Sequence, residues 1–86
     1  MRAMTIYTKH ARRRMRGRGV TEEEVEQVIR RGGPSEARPP RLGRELVFSG
    51  QHLWRGRKYP QKRVKVVFVR EGDDTVILTV VSYYGK

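Results

Sequence analysis

Two runs rich in β-branched residues, Val64 to Val69 and Thr75 to Tyr83, constrain this chain more than any other feature. Such residues fit a pleated, half-buried surface and are costly in a helix. Glu71-Gly72-Asp73-Asp74 lies between them and reads as a hairpin turn. The chain is therefore predicted to be built around an antiparallel strand pair. Glu45 to Phe48 reads as a further strand, and Leu53-Trp54 as part of another that Pro60 closes. Residues 32–43, with Gly32, Gly33, Pro34, Pro39, Pro40 and Gly43, read as a connecting loop.

The first half carries helical signals. Met4 to Tyr7 is a short β-like or extended lead-in, and Thr8 is placed to cap a helix from Lys9 to about Arg16. Ala11 and Met15 form its thin apolar stripe, and Gly17 and Gly19 end it. Thr21-Glu22-Glu23-Glu24 has the pattern of a capping box, with Val20 and Val25 as its apolar staple. Val25, Val28 and Ile29 give this second helix its buried face, and Gly32-Gly33-Pro34 stops it. The expected architecture is α+β: one domain over residues 1–86, with two N-terminal helices packed on one face of a three- or four-stranded antiparallel sheet.

At 86 residues with 36% hydrophobic content, the chain has enough for one sheet face and two helix stripes, not for a deep pocket. It has no cysteine, no apolar run long enough to span a membrane and no apolar export signal in Met1 to His10. A reducing, cytoplasmic setting is the expectation. Twenty Lys and Arg against nine acids give a formal charge of +11. A charge of that size opposes compaction, and a polyanionic partner is the simplest reason to keep it. The charge is blocked. Arg2, Lys9, Arg12, Arg13, Arg14, Arg16 and Arg18 precede the acidic stretch Glu22 to Glu26, and a second basic stretch follows. RNA is the expected partner, more so than DNA. A helix-turn-helix reader would have to present the second helix, which opens on three glutamates and repels phosphate.

No phosphate-binding glycine loop or serine nucleophile motif is visible. His10 and His52 are the only histidines, so neither a metal nor a cofactor is expected. What remains is His10-Ala11-Arg12-Arg13-Arg14-Met15-Arg16-Gly17-Arg18. His10 and Arg14 share a helix face, and Arg18 continues the line if the last turn persists. A histidine that titrates near neutrality beside fixed guanidinium groups suits phosphodiester cleavage: the imidazole moves a proton and the arginine stabilises phosphate charge. The bland alternative has His10 capping the helix or packing under the sheet, with the arginines merely solvated. Trp54, Arg55, Arg57, Lys58, Tyr59, Lys62 and Arg63 mix aromatics with cations, as surfaces that stack bases and hold phosphates do. Trp54 fits a core position equally well. Tyr83 and Tyr84 must point to opposite sheet faces, and the sequence does not decide which faces a site.

The order His-Ala-x-x-Arg-x-x-x-Arg-Gly-Val, then Thr-Glu-Glu-Glu-Val-Glu-x-Val-Ile, then Arg63-Val64-Lys65-Val66-Val67 and Ile77-Leu78-Thr79-Val80, resembles a family of small bacterial domains of unknown function. That family is similar to the RelE-type toxins and barnase-like ribonucleases. The resemblance implies N-terminal helices on a four-stranded antiparallel sheet and metal-independent endoribonuclease activity on mRNA, often in the ribosome. It also implies an acidic antitoxin as partner. Carried onto this chain, it points to His10, Arg14, Arg18, Arg63, Lys65 and Thr79, with a C-terminal aromatic at Tyr83 or Tyr84. His10, Arg14, Lys65 and Tyr83 are the expected catalytic set. Arg12, Arg13, Arg16, Arg18, Trp54, Arg55, Arg57, Lys58, Arg63 and Thr79 are the expected RNA contacts. A non-catalytic RNA-binding module of the same fold is the alternative.

Overall fold

The computed structural model describes residues 3–85; Arg2, counted in the first basic block, lies outside them. The chain runs β1 (Thr5–Tyr7), α1 (Lys9–Arg18), α2 (Glu22–Arg31), β2 (Gly33–Ser35), β3 (Leu42–Trp54), β4 (Arg57–Glu71) and β5 (Asp74–Gly85). The five strands form one sheet in the order β1-β5-β4-β3-β2. The two β-branched runs pair antiparallel as β4 and β5, joined at Gly72-Asp73 with Glu71 opposite Asp74.

The sheet corrects the expected architecture of two helices on a three- or four-stranded antiparallel sheet. It has five strands, is mixed, and dominates the fold at 55% of the described residues. β1 pairs parallel with β5, Thr5 opposite Thr75, and β2 pairs with β3, Gly33 opposite Glu45. Both added strands are three residues long, too short to show an alternating pattern. β2 also contains Pro34, which a sheet tolerates at its edge because no ladder hydrogen bond is needed there. Part of the expected loop is therefore strand. The separate short strands around residues 45–54 are one, β3, carried past an irregularity between Ser49 and His52. Pro60 lies within β4 opposite that irregularity and does not end the strand.

Both helices start where their caps predict. The Thr8 side chain accepts from the Ala11 amide at 3.0 Å. Thr21 and Glu24 complete the capping box, at 3.1 Å from the Glu24 amide and 3.0 Å from the Thr21 amide. At the far end of α2, the Arg44 guanidinium donates to the Ile29 and Gly32 carbonyls. α1 packs on β5, and α2 on β3 and β4. Ala11, Met15, Val20, Val25 and Val28 meet Val64, Val66, Phe68, Ile77 and Val80 in one buried cluster. Among the described residues, no helix covers the opposite sheet face, and Val47 and Tyr83 are half exposed there. Among the described residues, no helix is long and apolar enough to cross a membrane.

Candidate nucleic-acid interface

Strand alternation sorts the candidate residues between the two sheet faces. Val64, Val66 and Phe68 face the helices, so Lys62 faces them too and Arg63 and Lys65 do not. Tyr84 pairs with Lys62 on the helix side, and Tyr83 pairs with Arg63 on the other. The Arg63 guanidinium lies 4.6 Å from the centre of the Tyr83 ring. The expected catalytic set is thus divided. Lys65 and Tyr83 are on the bare face, whereas His10 and Arg14 stand on α1. Tyr84 is the C-terminal aromatic on the α1 side.

The helix side gathers a different group. His10, Arg13, Arg14, Gly17 and Arg18 of α1 line a groove of about 570 Å³, closed by Arg55 from the turn between β3 and β4. Gly17, Arg18 and Arg55 also line an adjoining recess of about 140 Å³ with Trp54, Ser82 and Tyr84. The two concavities adjoin, with Gly17, Arg18 and Arg55 lining both. Trp54 stacks on Tyr84 with ring centres 5.3 Å apart and planes 6° from parallel. Tyr59 leans on the same Tyr84 ring at 5.5 Å. Arg55 holds its guanidinium 5.3 Å from the Trp54 ring. His10 Nε2 lies 3.3 Å from the Thr79 hydroxyl, which ties the imidazole to β5. Leu78 is the extra residue of a β5 bulge, since Thr79 pairs with Val67 and Ile77 with Phe68.

The last turn of α1 is held from the sheet. The Arg18 carbonyl accepts from the Ser82 and Tyr84 hydroxyls, each at 2.9 Å. The Gly19 carbonyl accepts from Lys62 Nζ at 2.6 Å. Gly19 itself caps α1 in the left-handed region (φ 69°), and a Cβ there would lie 2.6 Å from the Trp54 ring. Glycine is needed twice over at this position, for its backbone and for the aromatic that covers it. These contacts fix where Arg18 leaves the helix, and so the mouth of the groove.

Other expected contacts are employed elsewhere. Arg12 pairs with Glu22 and lies 4.6 Å from the Tyr7 ring centre, on another side of α1. Arg16 lines a smaller hollow with Tyr7, Lys9, Arg12 and Arg13. Arg57 and Lys58 are exposed at the hairpin tip, opposite Trp54 and Leu53. Lys62, expected to meet phosphate, is buried and bonded to both Glu24 oxygens, at 2.7 and 2.9 Å. By contrast, Arg13, Arg14, Arg18 and Arg55 have no acidic partner among the described residues. Another large concavity, about 440 Å³ between α2 and β3, is lined by Glu23 and Glu24 with Arg31 as its one cation, and suits an anion less well. Among the described residues, no three His, Cys, Asp or Glu side chains converge as metal ligands.

The fold is thus a mixed five-stranded sheet with two helices on one face and an arginine-lined groove at the end of the first. Residues 7–82 match the domain of unknown function DUF4258, and the chain belongs to that family. Neither a curated protein nor a solved structure matches it.

Proposed function

We propose that this protein binds RNA along the α1 groove. One observation carries the reading: Arg13, Arg14 and Arg18 of α1 and Arg55 of the hairpin converge on one concavity without acidic partners. Guanidinium groups present forked donors that match phosphate oxygens, and their charge releases counterions from a polyanion. The net charge of +11 supports the same reading at long range, through faster encounter with a polyanion. A cytoplasmic location accords with such a partner.

The test is the salt dependence of binding to a labelled RNA. If all four arginines meet phosphate, log K against log salt should fall with a slope of about −3 for a single strand. Replacing Arg13, Arg14 and Arg18 with Ala should flatten it. A slope near zero for the unaltered protein would refute the reading.

A second reading is metal-independent cleavage of the bound RNA, in keeping with the resemblance to RelE-type and barnase-like ribonucleases. Exposed His10 favours it, because its imidazole lies in the same groove as Arg14 and Arg18. His10 would move a proton to or from the reacting oxygens, and Arg14 would stabilise the charge on phosphorus. Lys65 and Tyr83 take no part in this version, being on the other sheet face. An acidic antitoxin and the ribosome are the partners it would bring with it.

A further inference from the structure

We infer that the recess beside the groove is a seat for one unstacked base, so that the protein selects single-stranded over double-stranded RNA. The inference rests on the RNA reading above and names its substrate class. The recess is lined by Trp54, Tyr84, Arg18, Arg55, Ser82 and Gly17 and adjoins the arginine groove, with which it shares Gly17, Arg18 and Arg55. Its volume, about 140 Å³, suits one planar ring and not a base pair.

Its chemistry is that of a base site. The Trp54–Tyr84 stack is rigid, because Tyr84 is tied by its hydroxyl to Arg18 and Trp54 abuts Gly19. The exposed guanidinium of Arg55 sits over the indole, where a π-face is the favoured neighbour, and a base can exchange for it or stack beside it. Arg18 and Arg55 then supply donors to ring acceptors or to the adjoining phosphate. Every base has a π-face, so the seat is tolerant of sequence. A paired base keeps both faces within its helix and cannot reach it.

Trp54 is the only tryptophan of the chain, so its emission reports on this recess alone. A fluorescein-labelled 12-nucleotide RNA, alone and annealed to its complement, would be titrated by anisotropy. The unlabelled single strand would be titrated by tryptophan emission. The single strand should bind at least about tenfold tighter than the duplex and quench Trp54 with the anisotropy midpoint. Trp54→Leu should lose about tenfold in single-strand affinity, and Trp54→Phe should keep most of it. Arg55→Asn, which relieves the backbone rather than opening the core, should weaken single-strand binding without lowering the melting temperature. Anisotropy changes with silent tryptophan emission, or equal affinity for duplex, would overturn the base seat and leave the arginine groove standing. No anisotropy change with either RNA would overturn both.

Discussion

Buried Lys62 of β4 forms an ion pair with partly buried Glu24 of α2, Nζ to Oε1 2.7 Å. The same ammonium reaches the Gly19 carbonyl, and the same carboxylate completes the Thr21 capping box. One lysine therefore joins the end of α1, the start of α2 and the sheet.

Removing that lysine should be costly in stability. Lys62→Met leaves Glu24 without its cation and Gly19 without its donor, a loss of about 3 kcal/mol in urea unfolding. Lys62→Met with Glu24→Gln should recover part of it, since neither side chain then carries an uncompensated charge. A single variant within 0.5 kcal/mol of the parent, on the order of an ordinary surface change, would show that the pair is solvated in solution.

The turn between β3 and β4 predicts the opposite sign. Arg55 (φ 51°) and Gly56 (φ 78°) both lie in the left-handed region, as a type I′ hairpin requires. That conformation costs a side chain such as arginine about 1–2 kcal/mol, more than the 0.5–1 kcal/mol of an exposed cation–π contact. Arg55→Asn should therefore raise the melting temperature by a few degrees. A lower melting temperature would mean that the contact with Trp54 outweighs the backbone.

Alkaline unfolding should depend on Tyr7. Burial raises its pKa above the usual 10.0, helped by the nearby charge of Glu26 and the hydrogen bond to it, while Arg12 opposes. Above pH 10 the unfolded chain loses this proton and the folded one retains it, so the stability Tyr7 contributes is full below pH 10 and falls as pH rises. Tyr7→Phe should flatten the decline of stability between pH 10 and 11. Identical pH profiles for the two proteins would show Tyr7 ionising as freely folded as unfolded.

Cleavage, if the groove performs it, should follow His10. His10→Ala should lower the rate ~10²–10⁴-fold while RNA affinity stays within a few-fold, and chelator should change neither protein. Arg14→Ala should reduce both rate and affinity. Single-turnover assays on total RNA would read this. Cleavage that survives His10→Ala and stops with chelator would exclude the mechanism, and binding with no cleavage would leave the non-catalytic module.

What the sequence made legible was local. Thr8, Thr21 and Glu24 announced both helix starts because capping chemistry acts within four residues. The runs at 64–69 and 75–83 announced β4 and β5 because period-2 burial repeats along them. β1 was legible as a β-like or extended lead-in without its partner, and β2 was hidden, since a three-residue strand owes its existence to the edge it pairs with. In the candidate site, His10, Arg14 and Arg18 were readable from helix spacing. The division of Lys65 and Tyr83 from them was not, because it depends on register across β4 and β5. One signal was present: Lys62 keeps the parity of Val64 and Val66, which places it with the core and not on the surface. Arg55 was visible only as charge, because its part in closing the groove comes from a turn that folds it back toward α1.

The parallel pairing of β1 with β5, Thr5 opposite Thr75, has a kinetic consequence. The groove wall comes from residues 10–18, but Thr79, Ser82 and Tyr84, which anchor it, come from the last strand. Contacts this distant along the chain raise the contact order and slow folding, because the loop between them must close before they contribute. The cover of the α1 apolar stripe and the anchors of its final turn both come from β5. A chain that has not yet paired β5 therefore lacks both the anchored Arg18 turn and the Tyr84 wall of the recess.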